Sequence, residues 1–167
     1  SEPKKRGSNH MTPNGITCNG TLTGPIQLGH YFKTDIVAVS FNNLSTDHNT
    51  RDYNLWFSIL YALLEGTSRE LGIPRQDLDG CLNTYLNTTE LILFDNVPGG
   101  AGHVKHLMED KNLISIINAT YSMTLNCKCG LETSCYGCLR NYQNQFCHDN
   151  LKRGLVIDFL KNFNKIN

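Results

Sequence analysis

The chain has 167 residues, with 15 basic and 15 acidic side chains and a formal net charge of zero. That length suits one domain with its own core, and the zero charge excludes a global field that would draw the chain onto nucleic acid or membrane. Seven cysteines exclude a complete set of internal disulfides. Since the sequence has neither an apolar run of about 18 residues nor a signal-peptide pattern, we predict a cytoplasmic protein without membrane contact.

Residues 1–29 are predicted to be a poorly structured N-terminal segment, and residues 30–167 to form the folded domain. The first eleven residues are polar and basic, as is typical of a solvated tail. Glycines and prolines then follow too densely for a regular element. The basic stub could also be a targeting or nucleic-acid-binding segment.

The first regular elements are predicted after residue 30. The apolar, largely β-branched run 36–39 predicts a strand covered on both faces. A helix is expected over residues 51–71, with Thr50 as its N-cap and with Gly72 and Pro74 ending it. The apolar residues that recur at helical spacing predict its buried face: Leu55, Trp56, Ile59, Leu60, Leu63 and Leu64.

Two further strands are predicted at residues 77–82, where Gly80 interrupts the pattern, and at residues 90–96. The polar stretch between them suits a hairpin. Helices are then predicted at residues 101–110 and 113–124, and an amphipathic helix at 150–163. This order predicts an α/β (α+β) domain, with a small mixed sheet of about three strands and flanking helices.

Four cysteines before the last helix are the most informative feature of the sequence. Cys127 and Cys129 form one close pair, and Cys135 and Cys138 form a second. Two such pairs from two short turns suit a tetrahedral Zn²⁺ site with four thiolate ligands. The alternatives are disulfides that cross-pair within a very small loop and plain reduced thiols.

The glycine-rich turn between the last strand and the following helix is a candidate anion site. Gly99, Gly100 and Gly102 could present free amide groups to a phosphate, although the same glycines could serve only a sharp turn and close packing. His103 and Lys105 extend this segment as a modest basic face. They also fit the H-x-K pattern of phospholipase-D-like nucleases, but no second copy of that pattern and no partner base are found.

A second candidate for nucleic-acid contact follows the cysteines. Arg140 and Asn144 lie in a segment that mixes amides and aromatics, and Lys152 extends its positive character. Such side chains can contact phosphates and stack on bases. They are also common in ordinary packing around a zinc loop.

Three motifs together resemble the MrfA-type zinc-binding (MZB) domain, a C-terminal module of DEAD/DEAH superfamily-2 helicases. They are DNVPGGAGH at 95–103, a C-x-C pair followed by SCYGCLRNYxNQ at 134–145, and GHxxxTD at 29–35. The wording is most similar to the version in DISARM phage-defence helicase subunits. The resemblance covers residues 28–160 and implies zinc held by Cys127, Cys129, Cys135 and Cys138.

The resemblance also implies a helicase motor, in the same or a separate chain, because this sequence has no Walker A motif. We therefore expect a non-catalytic zinc-binding accessory domain of a DNA helicase system, in phage defence or DNA repair, which holds DNA or docks a partner. A structural zinc with four thiolates leaves no open coordination position for a reaction. The alternatives are a phospholipase-D-like nuclease built on His103 and Lys105, and a pure protein-docking module.

Overall fold

The computed structural model describes residues 14–17, 29, 31–41, 52–85 and 88–163. The chain divides into two compact units, Ser1–Tyr31 and Phe32–Asn167, and every helix and strand named below belongs to the second. The poorly structured segment predicted at 1–29 lies mostly outside the described residues, so its boundary stays a prediction. No helix in the described ranges is long and apolar enough to cross a membrane.

Within the described residues the sheet has three strands, β1 (Ile36–Ser40), β2 (Leu78–Tyr85) and β3 (Thr88–Asp95), in the order β1-β3-β2. This confirms the predicted three-stranded sheet and the hairpin, in which Tyr85 pairs with Thr88. The sheet is not mixed, because both pairings are antiparallel. β1 and β2 run in the same direction, but β3 lies between them and no parallel pair forms.

Strand β1 lies at an edge of the sheet, and its side chains alternate between half-buried and exposed. Val37 and Val39 pack against the core, whereas Ile36 on the other face is 62% exposed. The prediction of a strand covered on both faces is therefore wrong. A continuous apolar run does not reveal whether helices cover one face or two.

Gly80 does not interrupt β2, as the sequence had suggested, but lies inside it. A Cβ atom at this position would lie 2.8 Å from the carbonyl oxygen of Ile92 and 2.8 Å from Cδ1 of Leu60. The missing side chain therefore allows close packing of the first helix against the sheet.

Helix α1 (Tyr53–Leu71) is the central helix of the fold, because it contacts the sheet as well as both later helices. Its N-cap is Asp52, whose Oδ1 accepts hydrogen bonds from the amides of Asn54 (3.1 Å) and Leu55 (3.2 Å). The prediction of Thr50 as N-cap, a residue outside the described ranges, was wrong. Gly72 ends the helix in the left-handed conformation, with φ +64°. The predicted apolar stripe is buried: Leu55, Trp56, Ile59, Leu60, Leu63 and Leu64.

The remaining helices are α2 (Asp110–Asn126) and α3 (Arg153–Phe163), and both pack on α1. The helix predicted at 101–110 is instead a 3₁₀ segment, Val104–Met108. The glycine turn before it consumes the residues that would have formed the first helical turn. α3 begins three residues later than predicted, because the preceding 3₁₀ segment extends to Asn150.

Gly66 of α1 lies against α2 so closely that a Cβ atom there would be 1.9 Å from Oγ1 and 3.1 Å from Cα of Thr120. In an open helix, replacing glycine with alanine stabilises by about 0.5–1 kcal/mol. Here we expect Gly66→Ala to destabilise the fold by about 1–3 kcal/mol, because the backbone of α2 must move away. Urea unfolding measures this difference. An increase in the free energy of unfolding would contradict the close approach of the two helices.

Candidate metal centre and its surroundings

Two short backbone turns present the four cysteines. Cys127 is the C-cap of α2, in an extended conformation that leads the chain away from the helix to Cys129. In the second turn the amides of Cys138, Leu139 and Arg140 all donate to the carbonyl oxygen of Cys135, at 3.0–3.1 Å. This turn points the Cys135 and Cys138 thiols towards the first pair.

The four sulfur atoms lie within 4.8 Å of one another. The distance is 3.5 Å from Cys127 to both Cys129 and Cys135, 3.7 Å from Cys129 to Cys138, and 3.8 Å from Cys135 to Cys138. A tetrahedron with Zn–S bonds of about 2.3 Å has edges of about 3.8 Å. A disulfide requires about 2.05 Å, and all four cysteines are free. The cluster therefore fits zinc and excludes the disulfide alternative in this structure.

Protonation of these thiols depends on whether a metal is bound. Burial raises the pKa of Cys138 far above its usual value. Burial also acts to raise the pKa of Cys127, but hydrogen bonds with the Cys129 backbone and the neighbouring thiols outweigh it and lower that pKa to about 7. Zinc stabilises thiolates and would deprotonate even the buried thiol, with release of protons on binding.

Polar side chains behind the second turn bind the loop itself. The guanidinium of Arg140 donates from Nε to Oγ of buried Ser134 (3.0 Å) and from Nη2 to the carbonyl oxygen of His148 (3.4 Å). Asn144 is completely buried; its Nδ2 donates to the carbonyl oxygen of Leu139 (2.8 Å). Asn144 thus offers no surface to nucleic acid. Arg140 is half-buried, and its Nε and Nη2 already donate within the loop and to the segment after it.

The amides of the glycine turn are already bound to an internal carboxylate. Asp95 is completely buried, and its side chain accepts from the amides of Ala101 (2.8 Å), His103 (3.0 Å) and Val104 (3.0 Å). A phosphate at this turn would have to displace that carboxylate. The structure therefore supports the alternative in which the glycines serve the turn itself.

Each of the three glycines adopts a positive φ: +92° at Gly99, +75° at Gly100 and +80° at Gly102. Gly100 also packs closely, because a Cβ atom there would lie 2.5 Å from a carboxylate oxygen of Asp35. Any other residue would be strained in this turn.

The predicted basic residues are spread over separate places. Lys105 is 63% exposed and pairs with Asp35 at 2.9 Å. Lys152 pairs with Glu132 beside the zinc loop, at 3.1 Å. His103 directly precedes the 3₁₀ segment and is half-buried. Their role in nucleic-acid binding stays a prediction.

Aromatic side chains of the segment after the cysteines were expected to stack on bases, and the structure leaves two of their rings exposed, together with Tyr136 in the zinc loop. Tyr136 is 64% exposed, Tyr142 is 82% exposed and Phe146 is 74% exposed. Tyr136 also packs edge-to-face on His148, with ring centroids 5.6 Å apart. Along the chain these exposed rings alternate with the inward side chains of Arg140 and Asn144. The irregular turn sets this alternation, so no periodic pattern in the sequence predicts it.

Comparisons with known proteins agree with this geometry. Residues 59–139 match the family model of the MrfA Zn-binding domain. The chain is 30% identical over 150 residues to the Druantia protein DruE of Escherichia coli (strain UMEA 4076-1), in a match that covers 80% of this chain and 8% of DruE. The predicted resemblance to this family of domains is confirmed, whereas the closer similarity to the DISARM version stays a prediction.

The fold is similar to part of a chain in the crystal structure of the DUF1998 helicase MrfA bound to DNA. The TM-score is 0.58 and the sequence identity is 17%, with 84% of this chain and 18% of that chain covered. The chain therefore spans a small part of the length of both relatives.

Proposed function

Because residues 59–139 match the family model of the MrfA Zn-binding domain, we propose that this chain is a non-catalytic zinc-binding accessory domain of a DNA helicase system, acting in phage defence or DNA repair. The observation that carries the proposal is the cluster of four sulfur atoms, all within 4.8 Å of one another, between α2 and α3. Cys127, Cys129, Cys135 and Cys138 would hold one Zn²⁺. Four thiolates complete its coordination, so the metal has a structural role.

The motor of such a system is supplied by other sequence, in the same or another chain. The likeness to a helicase bound to DNA supports a superfamily-2 motor as the partner. The coverage of 8% and 18% of the two relatives is in keeping with a module of a longer protein. Its contribution is then to hold DNA or to dock a neighbouring domain.

DNA holding is supported by the exposed rings of Tyr136, Tyr142 and Phe146 on the zinc loop and the segment that follows it. Bases of a single strand stack on such rings without sequence preference. Lys105 and Lys152 are each paired with a carboxylate, and the net charge is zero. Stacking would therefore outweigh phosphate contacts, and single strands would be preferred to duplex.

We expect labelled single-stranded DNA to bind the zinc-loaded chain in fluorescence anisotropy, and Tyr142→Ala to weaken binding by about 5- to 150-fold, since one stacked base contributes about 1–3 kcal/mol. Tyr31→Ala is the matched control, because Tyr31 is 96% exposed and lies outside the zinc loop.

If Lys105 or Lys152 contacts a phosphate, its replacement by methionine reduces the slope of log K against log salt by about 0.7. No binding at low salt would refute DNA holding.

Docking of a neighbouring domain is the second candidate, and a cleft at the sheet edge favours it. The cleft has a volume of about 480 Å³ and is lined by β1 together with Leu107, Met108 and Leu113. Met108 is 71% exposed and Ile36 is 62% exposed. If this surface docks a motor domain, β1 amides should exchange hydrogen more slowly in the longer protein than in this chain alone.

A further inference from the structure

One buried arginine connects the zinc loop to the helix before it. Arg153 is the first residue of α3 and is only 7% exposed. Its Nη1 donates to the carbonyl oxygen of Thr124 in the last turn of α2 (2.8 Å), and its Nη2 donates to the carbonyl oxygen of Cys129 (2.6 Å). The side chain therefore spans the end of α2 and the first pair of cysteines.

The backbone at the start of α3 binds the same loop. The amide of Arg153 donates to the carbonyl oxygen of Thr133 (2.9 Å), and the amide of Gly154 donates to that of Leu131 (2.8 Å). The loop lies close to Gly154, since a Cβ atom there would be 3.0 Å from the Leu131 oxygen. Carbonyl oxygens of the loop between the two cysteine pairs thus accept hydrogen bonds from amides in the first turn of α3, which have no acceptor within the helix.

The charge of Arg153 has no carboxylate partner among the residues that the structure describes; every ion pair found there involves other side chains. Burying an unpaired cation costs several kcal/mol. The partial negative charge at the end of α2 offsets part of this cost. A zinc ion with four thiolates would carry a net charge of about −2, and Cys129 is a direct hydrogen-bonding partner of Arg153.

We propose that Arg153 is the counter-cation and positioning residue of the zinc–thiolate centre. Its charge stabilises the metal-bound state, and its two hydrogen bonds hold Cys129 against α2. This inference rests on the proposed zinc site and deepens it. Part of the affinity for zinc then comes from Arg153, which is not a ligand and lies 15 positions after the last cysteine of the cluster.

Zinc binding should also affect how firmly α3 is held. Without metal the four sulfur atoms are not joined, so the loop that accepts the amides of Arg153 and Gly154 is held less firmly against the N-terminus of α3. Zinc binding and docking of α3 are then linked, and each strengthens the other by the same factor. Loss of zinc would release the last helix as well as the loop.

The test separates the charge of Arg153 from its hydrogen bonds. Arg153→Gln keeps donors but removes the charge, and Arg153→Lys keeps the charge but loses the two-pronged contact. We expect Arg153→Gln to weaken zinc affinity by about 10- to 100-fold, the usual effect of removing a partner of a metal ligand, and Arg153→Lys to weaken it less. Competition with a chelating dye measures both. Lys161→Met is the control, because Lys161 is exposed near the other end of α3.

A second readout excludes a purely structural role. The counter-cation role predicts that Arg153→Gln destabilises the zinc-loaded chain more than the metal-free chain in urea unfolding. Equal destabilisation of both, or equal zinc affinity in the Gln and Lys variants, would overturn the proposal. If the metal-free Gln variant does not fold, zinc transfer from the loaded variant to excess chelator replaces that comparison. Transfer as slow as in the parent would also overturn it. A parent chain that binds no zinc would refute the metal site itself.

Discussion

In the Cys135→Ser variant we expect zinc content to fall well below one ion per chain and the zinc loop to unfold. Cys135 supplies one of four sulfur atoms, and its carbonyl oxygen accepts the three amides that shape the second turn. Structural zinc sites contribute about 10–16 kcal/mol of apparent binding free energy to folding. Even a loss of a few kcal/mol matters, since each 1 kcal/mol lowers the melting temperature by about 2–4 °C at this chain length.

Three measurements check this expectation: zinc content by mass spectrometry, thermal melting by circular dichroism, and hydrogen exchange. Exchange should accelerate in residues 127–138 and in the first turn of α3, which binds the loop through Arg153 and Gly154. Cys81→Ser is the control, because Cys81 is exposed on β2, outside the cluster. An unchanged melt with full zinc occupancy would exclude Cys135 as a ligand.

We expect the second large effect from Asp95→Asn, in which the new side chain has nearly the same size as the old one. The buried Asp95 carboxylate accepts three amides of the glycine turn. Asparagine keeps one acceptor oxygen and directs an NH₂ group at the remaining donors, so buried amides lose their partners. Unsatisfied buried groups cost about 1–3 kcal/mol each, and we expect a loss of about 2–4 kcal/mol in the free energy of unfolding.

Urea unfolding of the zinc-loaded chain measures this loss, with Asp158→Asn as control because Asp158 is exposed on α3. Zinc content should stay at the parent level, since Asp95 is not one of the four clustered residues. A difference of less than about 0.5 kcal/mol, within the range of ordinary surface substitutions, would mean that the turn amides do not depend on Asp95. It would also restore the turn as a candidate phosphate site.

Local patterns determined much of the fold. The helical spacing of apolar residues in α1 identified its buried face, because a stripe at that period has to face the core. Gly72 and Pro74 marked its end, since few other residues suit these positions. The spacing of the cysteines pointed to zinc, because two close pairs match the reach of a tetrahedral metal and do not suit disulfides. The motifs around them led to a resemblance to the MrfA Zn-binding domain, whose family model matches residues 59–139.

Only the tertiary structure decided which polar groups are free to act. The glycine turn looked like a phosphate site, but Asp95, from the end of the preceding strand, takes its donors. Arg140 and Asn144 looked like contacts for nucleic acid, but the loop uses their hydrogen bonds and leaves the aromatic rings outside. The direction of a side chain in an irregular turn depends on contacts that are distant in sequence.

Sequence by itself thus determined the metal ligands to test and the period of the core, because both depend on neighbouring residues and on fixed covalent geometry. The three-dimensional arrangement decided that β1 is an edge strand, that Gly66 and Gly80 are packing requirements, and that Arg153 lies against Cys129. These depend on how helices and strands approach one another. Burial and unpaired charge are properties of the packed chain, so they become visible only when distant segments are in contact.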